Sequence, residues 1–266
     1  VEEDLMQWDQ LYYVGAEAKQ SGQMQGQLAA DYIKEHPDVD RNHDGKIQYV
    51  ILEGEMGHQD AIIRTESVAE SLKEQGIENI LALRGDISED MVFPSEDRFH
   101  YAYQLVEEIR RHGDFCIGAA CYPEGHVENE HKEDDIKYLK QKVDSGVDFL
   151  TTQMFFDNDI HYNFLYRIRE AGITVPVLPG IMPITSARQM KRSCELSGTV
   201  FPRRFQAILD RFGDSPKAME QAGIAYATDQ IIDLLANGVK NIHIYSMNRP
   251  EVAAAIMHNI SEIIQC

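Results

Sequence analysis

Asp40, Asn42, Asp44 and Gln48 place side-chain oxygens at alternate positions in the run DRNHDGKIQ, with the Lys46 carbonyl between them and Gly45 at the sixth position. Oxygen donors at this spacing, with a glycine where the chain must turn sharply, make the first part of an EF-hand-type loop that wraps a hard cation such as calcium. The bidentate carboxylate of the twelfth position is replaced by Ile51. Calcium is therefore expected to bind weakly, and the run also reads as an Asp/Asn/Gly-rich turn between a helix and a strand. A second set of polar residues stands just past the ends of apolar runs: Arg84 and Asp86, Tyr122 and His126, Gln153 and Asp157, Asn248 and Arg249. Residues at those positions share one rim if the strands close into a barrel, and are split if the sheet stays open.

The elements that must position these groups alternate along the whole chain. Strands are expected at Leu11–Gly15, Lys46–Gly54, Asn79–Leu83, Phe115–Ala120, Phe149–Phe155, Val175–Leu178 and Asn241–Tyr245. Helices are expected at Ser21–Glu35, with Ser21 as N-cap, and at Asp60–Gln75, Glu96–His112, Lys132–Ser145, Ile160–Ala171, Ser186–Leu196 and Arg203–Asn237. Strict βα alternation implies a parallel sheet with right-handed crossovers, and the recurring polar strand ends favour a TIM-barrel-like (βα) barrel. Seven strands do not match eight-stranded closure, so an unpaired strand edge and self-association through it are expected.

Composition excludes several classes. At 266 residues, 43% hydrophobic and 26% charged, the chain is a folded globular protein of one large domain or two small ones. A formal charge of −19, from 25 basic and 44 acidic residues, argues against nucleic-acid partners and anionic membrane surfaces. No apolar run reaches the roughly 20 residues that span a bilayer. The start VEEDLMQWDQ has neither the basic flank nor the apolar core of a signal peptide, which reads as cytoplasmic. The cysteines Cys116, Cys121, Cys194 and Cys266 form no CxxC pair, and reduced thiols are expected. Met182, Met190 and Met219 read as packing residues.

Two family resemblances divide the chain near residue 78. The segments YYVGAEAKQSGQMQGQLAADYI, DRNHDGKIQYVILEGEMG and GHQDAIIRT resemble periplasmic glucose/galactose-binding proteins over about residues 8–77. That resemblance implies a flavodoxin-like lobe, calcium held by Asp40, Asn42, Asp44, Lys46 and Gln48, and sugar contacts from His58, Asp60 and Arg64. The rest of a two-lobed sugar clamp has no counterpart, so glucose is not expected to bind. Asp60 also reads as a plain helix N-cap. The segments ILALRGD, AACYPEGH, KVDSGVDFLTTQMFFD, VPVLPGIMP and IHIYSMNR resemble methylenetetrahydrofolate reductases over about residues 79–263.

The second resemblance implies FAD lying across the carboxyl ends of barrel strands. It nominates Arg84, Gly85, Asp86, Tyr101, Ala102, Tyr122, His126, Asp135 and Lys142 as flavin contacts. Asp86 and Gln153 become the catalytic candidates, Gln153 serving nicotinamide and folate in turn, and Arg249 lies near the substrate end. A fixed carboxylate such as Asp86 stabilises a developing cation in a dry site, Arg and Lys suit a pyrophosphate, and Tyr122 suits a flat ring. Plainer readings stand beside these: a βα turn for Arg84–Asp86, a surface loop for His126, a strand-end hydrogen bonder for Gln153 and a solvated helix face for Lys142. The family's Phe-Glu-Phe-Phe-Pro-Pro motif, whose Glu is the general acid, is not in this sequence. Together the resemblances imply an engineered or otherwise recombined chain, 1–78 and 79–266 forming one folded domain, with residual FAD binding and weak turnover. The alternatives are a ligand-free chimera or a residual calcium- or sugar-binding module.

Overall fold

The computed structural model of the chain describes residues 18–36, 48–52, 79–83, 100–127, 129, 131 and 134–265. The chain divides into two compact units, Val1–Phe115 and Cys116–Cys266.

In the first unit, helix α1 (Ala18–Glu35) is followed by strands β1 (Gln48–Leu52) and β2 (Asn79–Leu83) and helix α2 (Ala102–His112). β1 and β2 pair in parallel, with Val50 opposite Leu81. β2 has the limits that its apolar run predicts, and it buries Ile80 and Ala82 while the alternate residues are half-buried. Ser21 is not an N-cap, because α1 already runs from Ala18. The residues Ala18, Lys19 and Gln20 are good helix formers and carry the helix past it. α2 starts later than the expected Glu96, because the Gln104 side-chain oxygen accepts the backbone N–H of Tyr101 at 2.9 Å and of His100 at 2.6 Å, fixing the first turn there. Its last turn carries Arg110, Arg111 and His112, where the helix dipole favours cations.

The second unit contains β3 (Cys116–Cys121), α3 (Asp134–Asp144), β4 (Phe149–Thr152), α4 (Asn158–Glu170), β5 (Val177–Leu178), β6 (Gly180–Ile181), α5 (Ala187–Ser197), α6 (Arg203–Phe212), α7 (Pro216–Ala236), β7 (His243–Ile244) and α8 (Pro250–Asn259). β3, β4 and β5 pair in parallel, with Ala119 opposite Leu150 and Leu150 opposite Val177. β6 pairs in parallel with β7, Gly180 standing opposite His243. Among the described residues these strands belong to two sheets and close no barrel. One extended segment, 177–181, serves both ladders and is interrupted at Pro179, which has no N–H for a ladder. The Pro179 carbonyl still accepts the His243 N–H at 2.9 Å. The expected strand Leu11–Gly15 lies outside the described residues.

Helix limits follow local chemistry. Asp157 caps α4 by accepting the Asp159 N–H at 3.0 Å. The expected helix Arg203–Asn237 is two helices, broken at Gly213–Ser215 and restarted with Pro216 at its first position. α8 was not anticipated from the sequence, although Pro250 at its start is the same signal. Met182, Met190 and Met219 pack with Phe156 and Phe205 in one buried cluster, and Phe155, Ile181, Ile231, Leu234 and Ile256 lie in a second. No helix among the described residues is long and apolar enough to cross a membrane.

Candidate functional site

The loop after β3 is built as a fastened platform. Tyr122 leaves the strand, and the Tyr122 carbonyl accepts the Gly125 N–H at 3.1 Å in a turn that needs Gly125 at φ 89°, where a side chain would be strained. His126 then sets its ring edge-on to Tyr122, 4.5 Å between centroids and 85° between planes. α3 holds this loop from the other side. Asp135, in its first turn, accepts the His126 backbone N–H at 2.9 Å and the Asn129 side-chain amide at 2.7 Å. Lys142, two turns further along the same face, donates to the Ala120 carbonyl at 2.7 Å and stands 5.9 Å from the Tyr122 ring centre. A planar ring, an imidazole and an ammonium thus meet at one strand end, a set that suits a flat heterocycle carrying phosphate.

Burial keeps the neighbouring thiol out of this chemistry. Cys121 is buried, and desolvation pushes its pKa up to about 12 despite the nearby Lys142 charge, so it stays a neutral thiol. Cys121 is a free thiol. Gln153, the residue after β4, donates its N–H to the Cys121 carbonyl at 2.7 Å, and its side-chain oxygen accepts the Met154 N–H at 3.0 Å. Gln153 therefore acts as a strand-end hydrogen bonder.

Across the other ladder, Tyr245 follows β7 and donates its hydroxyl to the Thr152 carbonyl at 2.8 Å. Burial raises the Tyr245 pKa above its ordinary value, with Cys121 and Tyr122 adding to it, so the hydroxyl keeps its proton. Gly180 makes this crossing possible: a Cβ there would lie 2.3 Å from the Thr152 oxygen and 2.6 Å from the Tyr245 ring. Tyr245→Phe should lower the stability of the unit by about 1–2 kcal/mol in urea unfolding, because the Thr152 carbonyl loses its donor. An unchanged midpoint would show that water replaces the hydroxyl at no cost.

The turn after β7 carries two consecutive left-handed residues, Met247 at φ 50° and Asn248 at φ 60°. It delivers Arg249 to the start of α8, where the guanidinium donates to Thr185 Oγ1 at 2.8 Å, Glu220 Oε2 at 2.7 Å and Glu251 Oε1 at 2.8 Å. Hydrogen bonds to these carboxylates, Glu220 first, raise the Arg249 pKa further.

In the first unit, Tyr101 stands exposed just before α2 and stacks on Tyr103 at 6.0 Å, and Ala102 opens the helix. Arg84, Gly85, Asp86, His58, Asp60, Arg64, Asp40, Asn42, Asp44 and Lys46 lie outside the described residues, as does the side chain of Gln48. No group of three or more metal-ligating side chains occurs among the described residues. Thr152, Gly180, Glu220 and Tyr245 were missed as site residues. Three of them sit in quoted motifs, Thr152 in KVDSGVDFLTTQMFFD, Gly180 in VPVLPGIMP and Tyr245 in IHIYSMNR, and only their spatial partners give them a role.

Comparison with known proteins identifies the family. A family model described as methylenetetrahydrofolate reductase matches residues 57–261, and one described as periplasmic binding protein domain matches residues 1–92. Methylenetetrahydrofolate reductase 1 of Schizosaccharomyces pombe is 38% identical over 202 residues, covering 74% of this chain and 34% of that protein. The 5,10-methylenetetrahydrofolate reductase of Escherichia coli (strain K12) is 34% identical over 194 residues, covering 73% of this chain and 64% of that protein. The chain therefore spans about a third to two-thirds of the length of these relatives. Among solved structures, an uncharacterised protein from Clostridium thermocellum that binds two copies of 5-methyl-5,6,7,8-tetrahydrofolic acid aligns with a TM-score of 0.55 at 16% identity, over 85% of this chain and 78% of that one, which supports the α/β fold. With a family match over residues 57–261 and relatives at these identities, the chain belongs to the methylenetetrahydrofolate reductase family.

Proposed function

We propose that the second unit holds FAD over the loop after β3, in a chain whose parent reaction is the NAD(P)H-dependent, flavin-mediated reduction of methylenetetrahydrofolate to methyltetrahydrofolate. The convergence of Tyr122, His126, Asp135 and Lys142 carries this reading. When bound, the flavin supplies the ring that takes up and gives back hydride. The chain's own groups hold and orient. Tyr122, braced by the His126 edge, offers a flat face, and Lys142 supplies positive charge for the pyrophosphate. Asp135 orders the loop through its backbone, and Gln153 is the proposed donor to a carbonyl of nicotinamide or folate. Arg84, Gly85, Tyr101 and Ala102 complete the proposed cofactor contacts, Asp86 is the proposed electrostatic catalyst and Arg249 marks the substrate end.

The test is FAD titration followed by melting. At a hundredfold excess over its dissociation constant, FAD should stabilise the fold by about 2.7 kcal/mol, a rise in Tm of roughly 5–10 °C. Tyr122→Ala and Lys142→Ala should each weaken binding. No thermal shift and no quenching of flavin fluorescence would overturn the reading. Binding and turnover should come apart, since residues matching the cofactor contacts are in the sequence and the general-acid motif is not. NADH oxidation with menadione is expected to be slow.

A recombined origin of residues 1–78, from a periplasmic-binding-protein lobe, is the finer proposal, and the family match over residues 1–92 supports it. Weak calcium binding and self-association through an unpaired strand edge belong to the same proposal. Light scattering at high concentration tests the latter.

A further inference from the structure

The turn that carries Tyr122 and His126 is moored on two sides. On one side Asp135 of α3 accepts the His126 N–H at 2.9 Å. On the other, the half-buried Glu124, which stands between the two rings in sequence, reaches across 76 residues and accepts the Val200 N–H at 2.9 Å. Val200 belongs to the short connection between α5 and α6, residues 198–202, and that connection is fixed to the core on both sides of it. Thr199 is buried and donates its hydroxyl to the Met154 carbonyl at 3.3 Å. Phe201 stacks on Phe156 with centroids 4.6 Å apart and packs on Phe205 at 5.4 Å. A second contact runs beside the first, because Gly198 lies so close to Val127, the residue after His126, that a Cβ would stand 2.8 Å from the Val127 Cγ1. The donor that Glu124 meets is therefore held rigidly, and a carboxylate accepting a backbone N–H makes a bond roughly twice as strong as a neutral pair.

We infer that Glu124 is a positioning residue for the flavin loop: by accepting the Val200 N–H it holds the Tyr122–His126 turn against the α5–α6 connection, so that the ring face stands in place before a cofactor arrives. The inference rests on the FAD reading above and deepens it. Asp135 alone grips the turn at its His126 end, and without Glu124 the turn spends part of its time out of place. Affinity then falls in proportion to the population lost, although the bound state itself is unchanged.

The test uses the full chain with Glu124→Ala, which removes the acceptor, and Glu124→Gln, whose side-chain carbonyl still accepts the Val200 N–H. The first measurement needs no ligand. Amide hydrogen exchange over residues 122–127 should run about three- to tenfold faster in Glu124→Ala than in the wild type, with β3 and β4 unchanged, and Glu124→Gln should return to within about twofold of the wild type. The second compares FAD with ADP, which lacks the flavin ring and keeps the pyrophosphate assigned to Lys142. Glu124→Ala should raise the dissociation constant for FAD about three- to tenfold and leave that for ADP unchanged, and at saturation its flavin absorbance spectrum should match the wild type. A merely structural role would quicken exchange throughout the unit and weaken both ligands alike. That result, unchanged exchange over residues 122–127, or a Glu124→Gln protein that behaves as Glu124→Ala, overturns the inference. If FAD does not bind even the wild type, the flavoprotein reading fails, and the exchange measurement alone decides whether Glu124 holds the turn.

Discussion

Gly223→Ala is expected to cost the second unit about 2–4 kcal/mol of stability. Gly223 lies in the middle of α7, where alanine ordinarily gains about 1 kcal/mol over glycine. Here the sign reverses, because a Cβ would stand 1.8 Å from the Ile184 carbonyl oxygen and 2.7 Å from its carbon. Both are backbone atoms and neither can swing aside, so the whole helix must back away by more than an ångström. Ile184 belongs to the buried cluster that also holds Phe156, Phe205 and Met219, so the displacement opens the core as well as straining it. Gly172→Ala is the control. Its site has open space and a φ of 77°, so only the cost of the left-handed backbone, about 1–2 kcal/mol, should appear. Equilibrium urea unfolding of the two variants decides the matter, and a Gly223→Ala midpoint at or above that of Gly172→Ala would show that α7 does not press on the Ile184 backbone. Because Glu220 sits one turn before Gly223, the same displacement should also loosen its hydrogen bond to Arg249.

The second large effect is acid sensitivity set by His161. This residue is fully buried in α4, stacked on Phe155 at 5.0 Å with 3° between planes, and neither ring nitrogen has a hydrogen-bond partner. Burial lowers its pKa from 6.5 to about 4, because a charged imidazolium cannot be hydrated there. Tyr162, whose ring lies 6.0 Å away, spends its hydroxyl on Asp233 at 2.7 Å and offers His161 no compensating anion. The folded state therefore binds the proton less readily than the unfolded one. The stability is fully present above pH 6.5 and is lost as pH falls toward 4, by about 3 kcal/mol in all. His243, also lowered by burial, adds to the loss in the same direction. Asp233 acts in a separate window. Hydrogen bonds from Asn158 and Tyr162 hold it below its ordinary 3.8, so its contribution is lost only under more acidic conditions.

His161→Phe keeps the ring stack and removes the titrating group. It should match or exceed the wild type at neutral pH, since two unsatisfied nitrogens leave the core, and should exceed it increasingly as pH falls from 6.5 to 4. The measurement is urea unfolding of both proteins at intervals across that range. A stability difference that stays flat with pH would mean that His161 finds a proton acceptor when charged.

How much of this was legible in the sequence depends on the range of the interactions. β2 was read at its true limits because the short continuous apolar run from Ile80 to Leu83 is a local pattern. Pro216 and Pro250 were equally local signals for helix starts, yet the first was absorbed into a longer helix and the second passed over. The family resemblance nominated Tyr122, His126, Asp135 and Lys142, and the structure brings these four together, because they lie at one strand end and on the helix that follows it.

The sequence by itself determined the βα alternation, the family and the polar residues at strand ends, since periodicity, turn chemistry and motifs all reside in short windows. Only the tertiary structure decided which distant groups meet. Tyr245 finds the Thr152 carbonyl across 93 residues, and Glu220 finds Arg249 across 29. The same holds for Gly223, whose missing side chain matters because α7 crosses the Ile184 backbone, and for His161, whose isolation reflects the apolar groups packed around it. A period assigns a side chain to a face of its own helix or strand. Its partner there is set by sheet register and helix packing, which depend on every element between them.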